Sequence, residues 1–444
     1  MTTSTSPTFL PSLEGLRAAM RGPTFERLRL LARGFVLATG SHTVAAALLA
    51  GDLARGHHHE AFHRFFSRRC WSPDELGRLL LRRLVALVRA TSLTVAIDDT
   101  LAPKKGPKVF GLGTHLDPVR STRRHRIFAF GHVWVVLAVL VKLPMTSRPW
   151  ALPILFRLYR NERECAKRGD PYRKKTELAR AMLDELLSWT ELPVRVVADV
   201  AYCNATLQRG HDPRVVFVGT MRPDAVLTAL PTAAQRKKTG RRRVKGSVLP
   251  KPEKLASSAR SPWRPVRATL YGKERVVHVK TMRAQWYIAC GAGLLHVVLV
   301  RLDHGRIPFR TFFSSDPDLD AVHILETYAG RWSIEVAFRN LKQHLGFADS
   351  PARLRRAVER TAPFIGLLYT CLVLWFLEHA ADRPLALVPV RTWYRHKATL
   401  SFEDVLRAAR TDLLLPVSDP HRPSDNLKNC TRSSKSPTAY RPRP

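Results

Sequence analysis

The segment TSLTVAIDDT (residues 91–100) is a short run of mostly apolar and β-branched residues that ends in two aspartates. This composition is typical of a strand buried inside a sheet. Similar runs recur as GHVWVVLAVLV (131–141), LPVRVVADV (192–200), which ends in the segment ADV, and RVVFVG (214–219), while KTELARAMLDELLSWT (175–190) has helical periodicity. Strands that alternate with helices predict an α/β fold, a mixed sheet with helices on its faces.

The charge balance of the chain is strongly basic. It has 73 Lys and Arg residues against 36 Asp and Glu, a net charge of +37. Such a charge points to a polyanionic partner, because each cation that neutralises a phosphate releases a counterion. It does not fit an enzyme of small metabolites.

No membrane partner is expected. Two apolar runs, 284–300 and 362–377, are shorter than the roughly 20 residues that cross a bilayer, so both are predicted to be buried core. The N-terminus lacks the pattern of a signal peptide. The six cysteines form no zinc-binding spacing and no evident disulfide framework, which fits a reducing cytoplasm.

A second informative stretch is YAGRWSIEVAFRNLK (328–342). On a continuous helix, Tyr328, Arg331, Glu335 and Lys342 fall within an arc of about 60°, beside an apolar stripe. Glu335 would then lie at the margin of the buried face. Gly330 is a residue that can interrupt the helix, and an interruption there would leave the position of Tyr328 open. The alternative is a solvated Arg–Glu pair at the i,i+4 spacing.

The aspartates at the ends of two predicted strands are candidates to lie opposite this helix face. Carboxylates from two strand ends, Asp98 or Asp99 and Asp199, can converge with Glu335 from a facing helix. Such an oxygen-rich set suits Mg²⁺, and two divalent ions can activate an attacking oxygen and stabilise a leaving oxygen in phosphodiester chemistry.

The chain resembles the bacterial insertion-sequence transposases with an Asp-Asp-Glu triad and the signature Tyr-x2-Arg-x3-Glu-x6-Lys. IDDT (97–100) and ADVAYCN (198–204) are similar to the segments that carry the two aspartates of that family. The resemblance covers roughly residues 91–380. The signature itself is matched by Tyr328, Arg331, Glu335 and Lys342.

This resemblance implies a ribonuclease-H-like core with a β insertion, and a catalytic set of Asp98 or Asp99, Asp199 and Glu335. Two Mg²⁺ ions, for which Mn²⁺ can substitute, would be held by Asp98, Asp199 and Glu335. Strand alternation does not decide between the adjacent aspartates in a sheet that is covered on both sides, and we favour Asp98. Tyr328, Arg331 and Lys342 would position backbone phosphate.

The implied partners are double-stranded DNA, both the terminal inverted repeats of the element and the target, and a second copy of the chain in the DNA complex. The basic block 235–254 is either a solvated linker or a contact to DNA, and we favour the contact. The further residues expected to bind DNA are Lys104, Lys105, Arg123, Arg124, Lys237, Lys238, Arg241, Arg242, Arg243 and Arg339.

The resemblance and the residue patterns together divide the chain into six units. The expected activity is metal-dependent DNA cleavage and strand transfer in the bacterial cytoplasm; the alternatives are a non-catalytic DNA-binding regulator or decayed copy, and a metal-dependent nuclease without strand transfer. The units are a helical N-terminal DNA-binding domain (1–90), the first part of the core (91–222), an inserted basic β-rich subdomain (223–307), the second part of the core with the Glu helix (308–380), a C-terminal helical segment (381–416) and a disordered basic tail (417–444).

Overall fold

The computed structural model describes ten stretches of the chain. Five predicted DNA-binding residues, Arg123, Lys237, Lys238, Arg241 and Arg242, lie outside them, as do the tail 417–444 and much of the segment 381–416. The described residues are 8–53, 56–106, 108–117, 120–122, 124–143, 146–235, 240, 243–301, 308–380 and 399–415.

The N-terminal region is helical, as predicted. Ser72 caps the helix α5 (Pro73–Val88), since its hydroxyl accepts a hydrogen bond from the Asp74 N–H (3.2 Å). Gly77 lets α5 approach the sheet, because a Cβ there would lie 2.1 Å from the Ile154 carbonyl oxygen. The helices are α1 Phe9–Ser12, a 3₁₀ turn Glu14–Ala19, α2 Gly22–Leu37, α3 Val44–Ala50, α4 His59–Ser67 and α5 Pro73–Val88.

The remaining elements form one sheet with helices on its faces. The strands are β1 Leu93–Pro103, β2 Gly113–Leu116, β3 Phe128–Val141, β4 Trp150–Tyr159, β5 Val194–Ala198, β6 Val215–Met221, β7 Arg264–Leu270, β8 Lys273–Ala284, β9 Leu295–Arg301 and β10 Arg310–Ser314. The helices are α6 Glu162–Arg168, α7 Lys175–Trp189, α8 Ala205–Gln208, a 3₁₀ turn Ala233–Gln235, α9 Pro252–Ser257, α10 Tyr287–Cys290, α11 Ala321–Gly330, α12 Trp332–His344, α13 Arg355–Ala380 and α14 Phe402–Leu414.

The ten-stranded sheet has the mixed topology that the sequence predicted. Strands β4, β3 and β1 are antiparallel neighbours, while β1, β5 and β6 are parallel neighbours, and β2 pairs with the first part of β3. The expectation of a ribonuclease-H-like mixed sheet flanked by helices is therefore confirmed. Asp98 and Asp99 lie within the central strand β1, which continues to Pro103 and so does not end at the aspartates as predicted, and Asp199 lies just beyond β5.

The strands of the insertion extend this same sheet. β10 pairs antiparallel with β6, as expected for a strand that returns to the core, and β9, β8 and β7 follow in that order. The 223–307 region thus contributes strands to the edge of the central sheet, while its boundary as a subdomain stays a prediction.

Helix α13 packs against β4 in the hydrophobic core. It is long and apolar enough to cross a membrane, but 89% of its most apolar 18-residue stretch is buried inside the protein. Its Thr370 hydroxyl donates to the Pro153 carbonyl oxygen of β4 (2.8 Å). The apolar run 362–377 is therefore core, as predicted, and the run 284–300 contains α10 and the buried strand β9.

Candidate metal centre

The pairing of β1 with β5 brings Asp98 and Asp199 side by side. Ile97 is the register partner of Ala198 in this parallel pair, so the next residues, Asp98 and Asp199, are neighbours at the carboxyl ends of the pairing. Adjacent strands lie about 4.8 Å apart, and residues in register project to the same face. Two carboxylates that are far apart in sequence thus lie on one face of the sheet, where the pairing of β1 with β5 ends.

The adjacent aspartates of β1 face opposite sides. Asp99 accepts hydrogen bonds from the phenol of Tyr202 (2.8 Å) and from the ammonium group of Lys175 (2.7 Å), which lies at the start of α7. Asp98 instead accepts from the guanidinium of Arg331 (2.6 Å). Strand alternation therefore places Asp98, and not Asp99, on the face covered by α12.

Arg331 joins Asp98 to Glu335. Its guanidinium donates to Asp98 Oδ2 (2.6 Å) and to Glu335 Oε1 (2.9 Å), and its side chain is only 12% exposed. The Arg331–Glu335 pair at the i,i+4 spacing exists, but it is not the solvated pair of the alternative interpretation. The predicted continuous helix is interrupted at Arg331, since α11 ends at Gly330 and α12 begins at Trp332.

The electrostatics of this cluster are those of excess negative charge. Burial raises the pKa of Asp98 to about 7, with Asp199 adding to the rise and Arg331 opposing it. Burial acts to lower the pKa of Arg331, but the charges of Asp98 and Glu335 outweigh it, so that pKa is raised. When Asp98 and Glu335 are both ionised, their negative charge exceeds the single positive charge of the Arg331 guanidinium that pairs with them.

Asp98, Asp199 and Glu335 fit Mg²⁺ by the chemistry of their donors. All three supply carboxylate oxygens, the hard ligands that this ion prefers, and the raised pKa of Asp98 reports a site where an added cation would be stabilised. Within the described ranges, no group of three or more His, Cys, Asp and Glu side chains is already arranged around a metal position. Because the Arg331 guanidinium lies between Asp98 and Glu335, the fit to Mg²⁺ is judged from the chemistry of the three donors and from their position on one face of the sheet.

Comparison with known proteins identifies the family of the chain. The sequence model of one family, described as DDE superfamily endonuclease, matches residues 9–275, more than half of the chain. The chain belongs to the DDE superfamily endonucleases. No curated protein matches the sequence. The matched range includes Asp98 and Asp199 but ends before Glu335, and the assignment of all three carboxylates as metal ligands stays a prediction.

The other signature residues of this endonuclease have different environments. The Tyr328 ring is buried against Phe312 (4.8 Å between centroids), and the Arg331 guanidinium lies 5.6 Å from its centroid. The Lys342 side chain is exposed, yet partial desolvation by the surrounding protein lowers the pKa of its ammonium group. The charge of Asp117 opposes this effect. The structure thus brings Tyr328 and Arg331 together and leaves Lys342 open to a ligand.

The predicted DNA-binding residues that the structure describes are mostly exposed. Lys105, Arg124, Arg243 and Arg339 are exposed. Lys104 is half-buried; its ammonium group donates to the Ser350 carbonyl oxygen, and burial lowers its pKa.

Sequence reasoning missed the two side chains that donate to Asp99, Lys175 and Tyr202. Lys175 lies 76 residues from Asp99, and no local pattern links the first residue of a helix to the end of a distant strand. Tyr202 follows Asp199 by three residues and is 1% exposed. Its position beside a strand-end aspartate is a signal, but the sequence does not say that its phenol crosses to Asp99.

Proposed function

We propose that this endonuclease is the transposase of an insertion sequence, which binds the ends of its element, cleaves them by metal-activated hydrolysis and joins the freed 3′-hydroxyl to target DNA. The observation that carries the proposal is the Arg331 bridge from Asp98 to Glu335. It ties the signature helix to the aspartate strand, across 233 residues of sequence.

Asp98, Asp199 and Glu335 would hold two Mg²⁺ ions, for which Mn²⁺ can substitute. When bound, such ions activate the attacking oxygen and stabilise the leaving oxygen of the phosphodiester. Arg331 holds the carboxylates of Asp98 and Glu335 in place from its buried position. Its charge also attracts the backbone phosphate at the same edge of the sheet.

The basic surface supports DNA as the partner. Lys342, on the helix of Glu335, and the exposed Arg339 one turn before it would contact phosphates near the cut, while Lys105, Arg124 and Arg243 would contact phosphates farther away. With a net charge of +37, binding should weaken steeply with salt. The enzyme would act as a homodimer on paired element ends in the bacterial cytoplasm.

The test is an assay of the purified chain with labelled duplex DNA that carries the borders of its own gene. In Mg²⁺ or Mn²⁺ we expect cleavage at the element end and joining of the 3′ end to a target plasmid, and neither product in EDTA. Binding without cleavage would show a regulator or decayed copy. Cleavage without joining would show a nuclease, so either result contradicts the proposal.

A further inference from the structure

The hairpin formed by β2 and β3 exposes an apolar surface. Leu116, Phe128 and Phe130 are 45%, 59% and 44% exposed. Leu116 is the register partner of Phe128, and Thr114 is the partner of Phe130, so these side chains project to one face of the hairpin. We name Leu116, Phe128 and Phe130 the hairpin platform. Two neighbouring exposed Phe rings are unusual on a protein surface and mark a contact site.

Cations surround the hairpin platform. Phe130 lines a cavity of about 820 Å³ together with Lys104, Lys105 and Asp349. Lys108 and Arg120 also line this cavity. Arg124 and Arg126, exposed in the loop between β2 and β3, lie on the other side of Phe128 in sequence. The surface therefore combines aromatic rings with positive charge.

The hairpin platform lies on the same face of the sheet as Asp98. Asp98 pairs with Val136 in the antiparallel ladder of β1 and β3, and Phe130 precedes Val136 by six residues on that strand. An even separation keeps both side chains on one face, and six residues of strand span about 20 Å. A DNA strand that leaves the metal centre along β3 would therefore reach Phe130 after about 20 Å.

We propose that the hairpin platform stacks against unpaired bases of a DNA strand, about 20 Å from the phosphate that is cut. This inference rests on the proposed function. Base faces in a duplex are covered by neighbouring base pairs, whereas every unpaired base offers a free face to an aromatic ring. The flanking lysines and arginines would hold the phosphates of the same strand.

Charge argues against a second copy of the chain as the occupant. Two hairpin platforms face to face would bring the cations around each of them together, including Lys105 and Lys108 from both copies. Like charges in close contact are unfavourable. A polyanion with apolar base faces is complementary to both properties of the surface.

The test compares binding of the full chain to one 5′-labelled DNA strand and to the same strand in a duplex, by fluorescence anisotropy in EDTA so that no cleavage occurs. For the double variant Phe128→Ala/Phe130→Ala, we expect the dissociation constant for the single strand to rise by about 10-fold or more, as the loss of stacking on two rings requires. Binding to the duplex should stay within about 2-fold. The variant Phe128→Trp/Phe130→Trp, which keeps the stacking surface, should bind as the native chain does.

The matched control is Val276→Ala/Ile288→Ala, which removes exposed apolar side chains (54% and 68%) elsewhere. It should change neither binding constant. An equal loss on single strand and duplex would overturn the inference, as would unchanged binding with a shift in oligomeric state by sedimentation. A native chain that cleaves element ends but whose Phe variants bind the single strand normally would refute only this inference. A native chain that binds neither DNA would refute the proposed function as well.

Discussion

Asp98 and Asp99 are neighbours in sequence and opposites in environment. Asp98 faces α12, where burial and Asp199 raise its pKa and Arg331 is shared with Glu335. Asp99 faces α7, where Lys175 and Tyr202 both donate to its carboxylate. The first aspartate lies among competing carboxylates that a cation would relieve. The second accepts from an ammonium group and a phenol on the other face of the strand.

The difference teaches that burial and neighbouring carboxylates, and not the number of hydrogen bonds, distinguish the two aspartates. Asp98 also accepts hydrogen bonds, from the Arg331 guanidinium (2.6 Å) and from the Asp99 N–H (2.8 Å), but Arg331 is shared with Glu335. A buried carboxylate beside others of the same charge persists at a cost in stability, which is typical of functional sites.

The largest expected effect is on DNA cleavage. Asp98→Asn removes a proposed metal ligand and should lower the cleavage rate by at least about 10³-fold, as loss of a residue essential to the chemistry does. Asp99→Asn keeps all three proposed ligands and should lower it by less than about 10-fold. The rates are measured on labelled element-end DNA in Mg²⁺, at enzyme concentrations that saturate the DNA.

Glu335→Gln is the companion variant on α12. It should match Asp98→Asn in cleavage while binding of the DNA end stays nearly unchanged, and Glu359→Gln on α13 is its control. Cleavage by Glu335→Gln at the native rate would refute the third ligand, and equal loss in Asp98→Asn and Asp99→Asn would remove the distinction between the two faces.

The next effect is on stability without metal. In the unfolded chain Asp98 loses its proton near its usual pKa of 3.8, but in the folded chain only near 7. The folded state therefore binds more protons between these values, so stability falls as pH rises through this window and levels off above it. Asp98→Asn removes that loss and should raise the free energy of unfolding at pH 8 by about 2–4 kcal/mol.

Urea unfolding in EDTA at about pH 5 and pH 8 measures this effect. At the lower pH the difference between the two proteins should be clearly smaller, because most of the window between the unfolded and folded pKa values of Asp98 lies above pH 5. Asp99→Asn should instead lower the stability at pH 8, since it removes a carboxylate to which Lys175 and Tyr202 both donate. A less stable Asp98→Asn at pH 8 would contradict the raised pKa.

These contrasts also show how far the sequence reaches. The existence of the first strand, its aspartates and the residue types of the site are legible, because buried strands and carboxylates have local signals. The end of that strand is not, since β1 continues to Pro103 and does not end at the aspartates. Which aspartate faces α12 is not, since the sheet is covered on both sides and only the tertiary partners distinguish the faces. The break at Arg331 has a local signal in Gly330, but the contacts of the Arg331 guanidinium with Asp98 and Glu335 do not, since Asp98 lies on a distant strand.

Strand β4 shows a second limit of local signals. The sequence analysis did not predict it, and it contains Pro153, which lacks the N–H that a ladder needs. The structure accommodates Pro153 with a register shift, where Leu137 pairs with Leu155 but Ala138 pairs with Pro153. The Ile154 carbonyl at this irregularity meets Gly77 of α5. The strand is thus fixed by its contacts with other elements.

A smaller effect is expected on the α7 side of β1. Tyr202→Phe removes the phenol that donates to Asp99 from a buried position and should lower the free energy of unfolding by about 1.5–3 kcal/mol, the usual contribution of a hydrogen bond to a charged group. Cleavage should change little. Tyr271→Phe, at a site that is 50% exposed, is the control for both measurements. A large loss of cleavage in Tyr202→Phe alone would place Asp99 in the chemistry.

The smallest effect is expected for Lys175→Gln. The Lys175 side chain is 36% exposed, so water and salt screen its ion pair with Asp99, and its loss should cost at most about 1 kcal/mol. A double-mutant cycle with Asp99→Asn, measured by urea unfolding at low and high salt, isolates the coupling of the pair. A coupling that shrinks with salt fits a structural pair at the edge of the sheet. A larger coupling that salt does not reduce would mean that Asp99 is as desolvated as Asp98, and the two faces of β1 would then differ only in the number of carboxylates they gather.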